Sequence, residues 1–277
     1  MLYLGDTKVS PTTIIKTSEA KAKCGLTIDN FIGDIDSNGN LTAFTGNIIF
    51  DGRGIKNVGD YGLYYKFYQN RNISSIDLSD LEEITGYCAL DNLANGASNL
   101  NEVNLRNLKK ISGDYACRNI CNISGMTGKL INSPFDKLQT INGSQTAYGS
   151  ISYQNNLINT GLSNLVSISG YYVCGYMYQN CMSITDIELD NLTTISGSNA
   201  CQNMFGRCTS LTRADFPSLV SIDNINAFGT ASSNCIFANC TNLTEIHFRA
   251  DAQTLIESLT GYQYLFGATN ATIYFDL

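Results

Sequence analysis

LTTISG, residues Leu192–Gly197, decides the fold because the chain repeats it: LEEITG at Leu81–Gly86, LKKISG at Leu108–Gly113, LQTING at Leu138–Gly143, LVSISG at Leu165–Gly170 and, as the last copy, LVSIDN at Leu219–Asn224. An earlier copy, IKNVG, ends at Gly59 without the leading Leu. The closing positions Gly59, Gly86, Gly113, Gly143, Gly170, Gly197 and Asn224 are separated by 27, 27, 30, 27, 27 and 27 residues. So fixed a step describes a solenoid, in which each unit buries its apolar face only against its neighbours. Residues 46–249 carry about seven such units, with a cap expected at 1–45 and another at 250–277.

Counted from the closing glycine, residue types sort into columns. Ten and eight residues before it stand Ile76 and Leu78, Val103 and Leu105, Ile187 and Leu189, Ala214 and Phe216, each pair enclosing a polar residue. That period of two predicts a short strand, stacked on its copy in the next coil as a parallel sheet. Four residues after the glycine come Leu63, Leu90, Cys117, Ala147, Cys174, Cys201 and Phe228; eight after come Phe67, Ala94, Cys121, Ile151, Tyr178 and Phe205. The i, i+4 spacing predicts a helical turn or two on the return side. The glycine is expected to permit the bend between the two, with Asn224 replacing it because Asn tolerates a left-handed backbone.

Outside the repeat, YLGDTKV and GLTIDNFIGDI alternate like strands, and Asn38-Gly39 marks a turn. At the other end RADAQTLIESLTG predicts a helix with Ala252, Leu255, Ile256 and Leu259 on one face and Gly261 as its stop, followed by a strand in FGATNATIYFDL.

The last copies, NACQNMFGRCTSLTRADFPSLVSID at Asn199–Asp223 and FANCTNLTEIHF at Phe237–Phe248, resemble the BspA-like leucine-rich repeat of bacterial surface proteins. Ala200, Phe205, Cys208, Leu211, Ala214, Phe216, Pro217, Leu219 and Ile222 carry the likeness, which extends over about three quarters of the chain; the longer unit and the loss of most prolines depart from it. The resemblance implies an α/β repeat solenoid, a right-handed leucine-rich-repeat coil with a stacked parallel sheet, short helical turns opposite and caps at both ends. For function it implies adhesion, although such repeats are scaffolds that bind different things. YLGDTKVSP and the C-terminal end are similar to the ends of repeat proteins encoded in prophages of gut bacteria.

Composition narrows the partners. A formal charge of −7 with only 17 Lys and Arg gives no electrostatic reason to bind nucleic acid or an anionic membrane surface. No apolar run approaches a membrane span, so no membrane insertion is expected. MLYLGDTKVS lacks the pattern of a secretion signal, so either the chain enters no secretory pathway or its signal lies outside this sequence.

Motifs for chemistry are weak. The ten cysteines mostly fall in columns: Cys117, Cys174 and Cys201 share one, and Cys181, Cys208 and Cys240 share another eleven residues after the anchor, allowing for an insertion near Gly229–Asn234. They read as small core residues, with oxidation of a stacked pair such as Cys174 and Cys201 the alternative. With no C-x-x-C and one histidine, neither a metal site nor a cofactor is expected. DIDSNGNLTAFT at Asp34–Thr45 begins like a calcium loop but has Thr45 where a bidentate Glu is required, so a hairpin is the better reading. GMTGKL at Gly125–Leu130 is too short for a phosphate loop. A nucleophile pair would have to use His247, which reads as an inert histidine at the solvent position of a strand; no enzyme is expected. Asn-x-Ser/Thr triplets such as Asn191–Thr193 follow from composition.

One surface row is a candidate ligand face. Nine residues before each anchor, the outward strand position holds Asp77, Asn104, Pro134, Gly161, Glu188 and Asp215, with His247 equivalent in the last strand and Arg106, Arg213 and Arg249 nearby. Solenoids bind partners on such faces, and the alternative is an ordinary solvated surface. Sixteen tyrosines against no tryptophan offer carbohydrate or protein contacts, though Tyr171, Tyr172, Tyr176 and Tyr178 also fall where the repeat needs core filling. The function expected is non-enzymatic binding or adhesion to a protein or glycan at a bacterial surface, with a purely structural spacer as the alternative.

Overall fold

The computed structural model describes residues 48–124, 128–231, 233–259, 267 and 271–277, and the strands β1 (Tyr3–Leu4), β2 (Thr7–Lys8) and β3 (Thr13–Ile15). It is a parallel β-solenoid of about eight turns with almost no helix. Two parallel sheets and a run of turns form the successive segments of most coils.

The Leu-x-x-Ile-x-Gly anchor itself makes the first sheet, where the columns had predicted only a bend. Its strands stack in the order β5 (Asn57–Val58), β7 (Glu83–Ile84), β9 (Lys110–Ser112), β10 (Thr140–Asn142), β11 (Ser167–Ser169), β13 (Thr194–Ser196) and β15 (Ser221–Ile222). The register places Val58, Ile84, Ile111, Ile141, Ile168, Ile195 and Ile222 one above another, all buried. The ladder therefore keeps every anchor isoleucine in one core line, which a one-residue slip would turn outward.

The predicted strand ten to eight residues before the anchor forms a second sheet, in two blocks. One runs β3–β4 (Ile48–Asp51)–β6 (Ile73–Asp77)–β8 (Glu102–Asn104); the other runs β12 (Asp186–Glu188)–β14 (Arg213–Phe216)–β16 (Glu245–Phe248)–β17 (Thr272–Phe275). Between them, the coils carrying Ile131–Pro134 and Ile158–Gly161 form no strand, and Ile158 N–H reaches the Ile131 carbonyl at 3.0 Å. Pro134 has no N–H to give a ladder, and Gly161 sits at φ +63, outside the β region.

The return side corrects the helical expectation. Along residues 172–181, Tyr172, Cys174, Tyr176, Tyr178 and Asn180 donate their N–H to Ser198, Ala200, Gln202, Met204 and Gly206 of the next coil, at 2.8–3.1 Å. The N–H groups between them, of Gly175, Met177, Gln179 and Cys181, turn back to the carbonyl three residues earlier. Half the donors thus serve the neighbouring coil, as in a strand, whereas a helix would use them all internally. Every fourth residue adopts positive φ to achieve this: Tyr172 (+52°), Tyr176 (+59°) and Asn180 (+59°) here, Asn199, Asn203 and Arg207 one coil on. The inward residues four and eight after the anchor are buried as their columns predicted, since a period of four matches a helical i, i+4 pair.

The anchor glycines do more than bend. A Cβ on Gly86 would lie 2.1 Å from the Gly59 carbonyl carbon, and one on Gly170 would lie 2.2 Å from the Gly143 oxygen, so these backbones stack in contact. Asn224 is not left-handed; its Oδ1 accepts the Asn226 N–H at 2.9 Å and caps the turn instead.

At the C-terminus a short helix, α1 (Gln253–Glu257), and β17 cover the last coil, with Ala252, Ile256 and Leu259 buried and Leu255 partly so. Gly261, the stretch GLTIDNFIGDI, the Asn38-Gly39 turn and the calcium-like segment Asp34–Thr45 lie outside the described residues. No helix among the described residues is long and apolar enough to cross a membrane.

Candidate ligand-binding faces

The predicted row is brought into register, but in two parts. Asp51, Asp77 and Asn104 lie opposite one another in one block of the second sheet, and Glu188, Asp215, His247 and Tyr274 in the other. Pro134 and Gly161 fall in the two strandless coils.

Much of the row is occupied with its own backbone and neighbours. Asp77 Oδ1 accepts the Ser79 N–H at 2.9 Å, Asn104 Oδ1 accepts the Arg106 N–H at 3.3 Å, and Asp51 Oδ1 accepts the Arg53 N–H at 3.2 Å. A short acceptor at this column closes the corner leaving the strand, which explains Asp and Asn there without any ligand. Asp215 takes the Arg213 Nε on both oxygens, at 2.8 and 2.9 Å, and Arg213 also reaches Glu245 at 3.5 Å. The Asp215 hydrogen bond raises the Arg213 guanidinium further above its ordinary value. Arg249 pairs with Asp251.

His247 is not the open surface histidine that strand alternation predicts, being only 6% exposed. Tyr274 of the last strand stacks on its ring at 4.6 Å, and Asp276 and Glu245 hold its Nδ1 and Nε2 at 2.7 and 3.3 Å. The capping strand covers the outward face here, which alternation within β16 alone could not reveal.

The break in the second sheet leaves two adjoining hollows of about 390 and 240 Å³. Glu102, Asn104, Arg106, Ile131 and Asn132 line the larger, Asn159, Gly161, Ser163 and Asp186 the smaller, and Asp136 stands between them. Partial desolvation raises the Asp136 carboxyl above the usual carboxylate range, although the residue as a whole is exposed. Beneath them, Tyr178 crosses the core: its hydroxyl donates to the Thr160 carbonyl at 2.6 Å and meets Ser133 Oγ at 3.1 Å. Burial pushes that phenol well above its ordinary value, keeping it a donor. Of the four tyrosines weighed as core filling, Tyr178 alone is fully buried; Tyr171 is exposed, and Tyr172 and Tyr176 are half-buried on the outer surface.

On the turn side tyrosines form a band. Tyr61, Tyr87 and Tyr115 contact one another along three successive coils, with ring centroids 5.4 and 5.8 Å apart, while Tyr64, Tyr65 and Tyr68 join them at 4.4–5.4 Å. Tyr148 meets Tyr172 and Tyr176 at 6.4 and 5.1 Å, and Tyr171 packs on Tyr172 at 4.5 Å. Burial raises the phenols of Tyr64, Tyr65, Tyr148 and Tyr172, so they remain neutral donors. Between the halves, Arg118 lies over Tyr115 at 4.6 Å and makes a two-pronged pair with fully buried Asp91, at 3.1 and 2.7 Å. Column counting assigns these tyrosines to the repeat; the left-handed backbone at Tyr61, Tyr65, Tyr115, Tyr172 and Tyr176 is a signal it lacks.

The nine described cysteines are buried, and Cys24 lies outside the described residues. One column has a further purpose: Cys181, Cys208 and Cys240 donate Sγ–H to the carbonyls of Ile151, Tyr178 and Phe205 in the preceding coil, at 3.2, 3.3 and 3.0 Å. Gln154, in the same column, donates Nε2 to the Cys121 carbonyl at 2.7 Å. Burial pushes Cys181 and Cys240 up to about 12, so these thiols stay protonated donors. Asn191 likewise donates its amide to the Ser163 carbonyl at 2.7 Å, as Asn164 does to Asp136.

The sequence matches no protein-family model and no curated protein.

Proposed function

We propose that the protein is a non-enzymatic binding or adhesion module that recognises a protein or glycan, using the second-sheet face around Asp77, Asn104, Glu188 and Asp215. The observation that carries this is the break in that sheet. Two adjacent coils give up their strands, open polar hollows, and require Tyr178 to satisfy the Thr160 carbonyl. A repeat that abandons its own ladder in one place and compensates from within is a candidate for function at that place. The leucine-rich-repeat identity, the BspA-like kinship and the setting, a bacterial surface or a phage particle, belong to this proposal on the sequence resemblance.

A spacer role is the second reading, favoured by the corner-closing bonds that already engage Asp77 and Asn104. A glycan array and a whole-cell binding assay with the purified chain separate the two. The comparison variant carries Asp77→Ser, Glu188→Ser and Asp215→Ser, the serine at 77 keeping an oxygen for the Ser79 N–H. Binding that disappears in a variant melting like the parent supports the strand face. Binding unchanged in the variant would remove that face from the proposal, and no binding to any glycan or cell would leave the spacer.

A further inference from the structure

We propose that the tyrosine band of the turn side is a second binding surface, and that it takes an uncharged polysaccharide. The inference rests on the binding reading above but on a different face and different residues.

The backbone supplies the first argument. Sixteen described residues other than glycine adopt positive φ, and six of them are tyrosine: Tyr61, Tyr65, Tyr115, Tyr153, Tyr172 and Tyr176. This conformation favours Gly and Asn, and a bulky side chain there is an outlier. The repeat uses Asn at equivalent places, at Asn92, Asn119, Asn199 and Asn203. Tyrosine is therefore not what the turn requires, nor does the core need it, because these side chains lie on the outer surface. Observed strain of this kind points toward function.

Charge supplies the second. The chain has 17 basic and 24 acidic residues, yet the turn segments 144–154 and 171–181, which carry Tyr148, Tyr171, Tyr172 and Tyr176, contain none of either; the other half of the band has Asp60, Lys66, Asp91, Asp114 and Arg118, and Arg207 follows one coil on. The charged pair at the centre of the band, Arg118 with Asp91, is satisfied internally. The half of the band around Tyr148, Tyr172 and Tyr176 therefore gives an ionic partner nothing to recognise in its own turns, while the net charge of −7 repels polyanions.

Hydrogen bonding supplies the third. Gln202 Nε2 donates to the Tyr176 hydroxyl at 3.1 Å, so an amide stands against the phenol oxygen. Aromatic rings beside amides and phenol hydroxyls suit a pyranose, whose C–H face is apolar and whose edge is hydroxylated. Ring contacts run across three coils in one half of the band and between successive coils in the other, which favours a polymer over a single sugar.

The test is affinity electrophoresis of the full chain in gels containing a β-1,3-glucan, a β-1,4-xylan or a mannan, with alginate as the anionic control. The variants are Tyr172→Asn with Tyr176→Asn, Tyr61→Asn with Tyr65→Asn, and the strand-face serine variant. Asn suits positive φ, so both tyrosine variants should melt no lower than the parent. The expected result is retardation by a neutral glycan and not by alginate, weakened roughly tenfold or more in a tyrosine variant. Retention unaffected by either tyrosine pair, or stronger on alginate, overturns the inference. Retention lost only in the strand-face variant also overturns it, while leaving the binding reading intact. If no neutral glycan retards the chain, the inference fails, and the whole-cell assay decides separately whether the chain binds at all.

Discussion

The first sheet and the turn side stitch the same coils together, and the means differ. In the first sheet, β residues pair in register, as Ile141 does with Ile111 and Ile168. On the turn side the inter-coil bonds also recur at every second residue, but a left-handed residue every fourth position and a bond back three residues fold the chain between them. The sheet is specified by side chains that must point inward. The turns are specified by backbone conformations that must be reachable, and they leave outward side chains free to vary, which is where the tyrosines sit.

The junction between the two is where the comparison breaks most sharply. Gly170, at φ +132, ends the sheet strand and begins the turns, with a prospective Cβ 2.2 Å from the Gly143 oxygen and 2.8 Å from its carbonyl carbon. Those neighbours are backbone and can yield only by separating coils. Gly170→Ala is expected to cost about 4 kcal/mol, combining left-handed strain with overpacking, measured by urea unfolding. A loss below about 1 kcal/mol would mean that the coils do not stack this closely at the anchor.

Arg118 and Asp91 test the turn side away from the sheet. Asp91 is fully buried in one coil and reached by the guanidinium from the next. Removing the partner of a buried charge costs more than the pair contributes, so Arg118→Met is expected to lose about 3 kcal/mol, and Arg118→Met with Asp91→Asn to recover more than half of it. No recovery in the double variant would show that the arginine acts through packing on Tyr115 and not through the charge.

The solenoid, its period and its inward columns were legible because each is written six or seven times: an inward residue must be apolar in nearly every coil, and Leu81, Leu108, Leu138, Leu165, Leu192 and Leu219 are all buried. The return side misled because a helix and a chain of four-residue turns bury the same i, i+4 pairs, and only the destination of the intervening N–H groups separates them. The strand-face row was legible in register, as Asp215 opposite Glu188 and His247 shows. Its engagement with corner N–H groups, and the covering of His247 by Tyr274, depend on neighbours across coils that periodicity does not place.

The cysteine column is the smallest test and the one that separates residue type from role. Read as a core column, Cys208 needs only to be small and apolar, and alanine should serve nearly as well. Read as a donor to the Tyr178 carbonyl at 3.3 Å, it needs a hydrogen to give. Cys208→Ala is then expected to cost about 1–2 kcal/mol, since the buried carbonyl loses its side-chain partner along with the sulfur's contacts. Serine restores the donor in less volume, so Cys208→Ser should cost less than alanine in the same unfolding measurement. Gln154 fills the equivalent place in its own coil and gives its amide to the Cys121 carbonyl, so the column is held by what the preceding carbonyl requires and not by sulfur chemistry. Were alanine to prove milder than serine, the thiols would be packing residues after all, and the corners of the turn side would be held by backbone bonds alone.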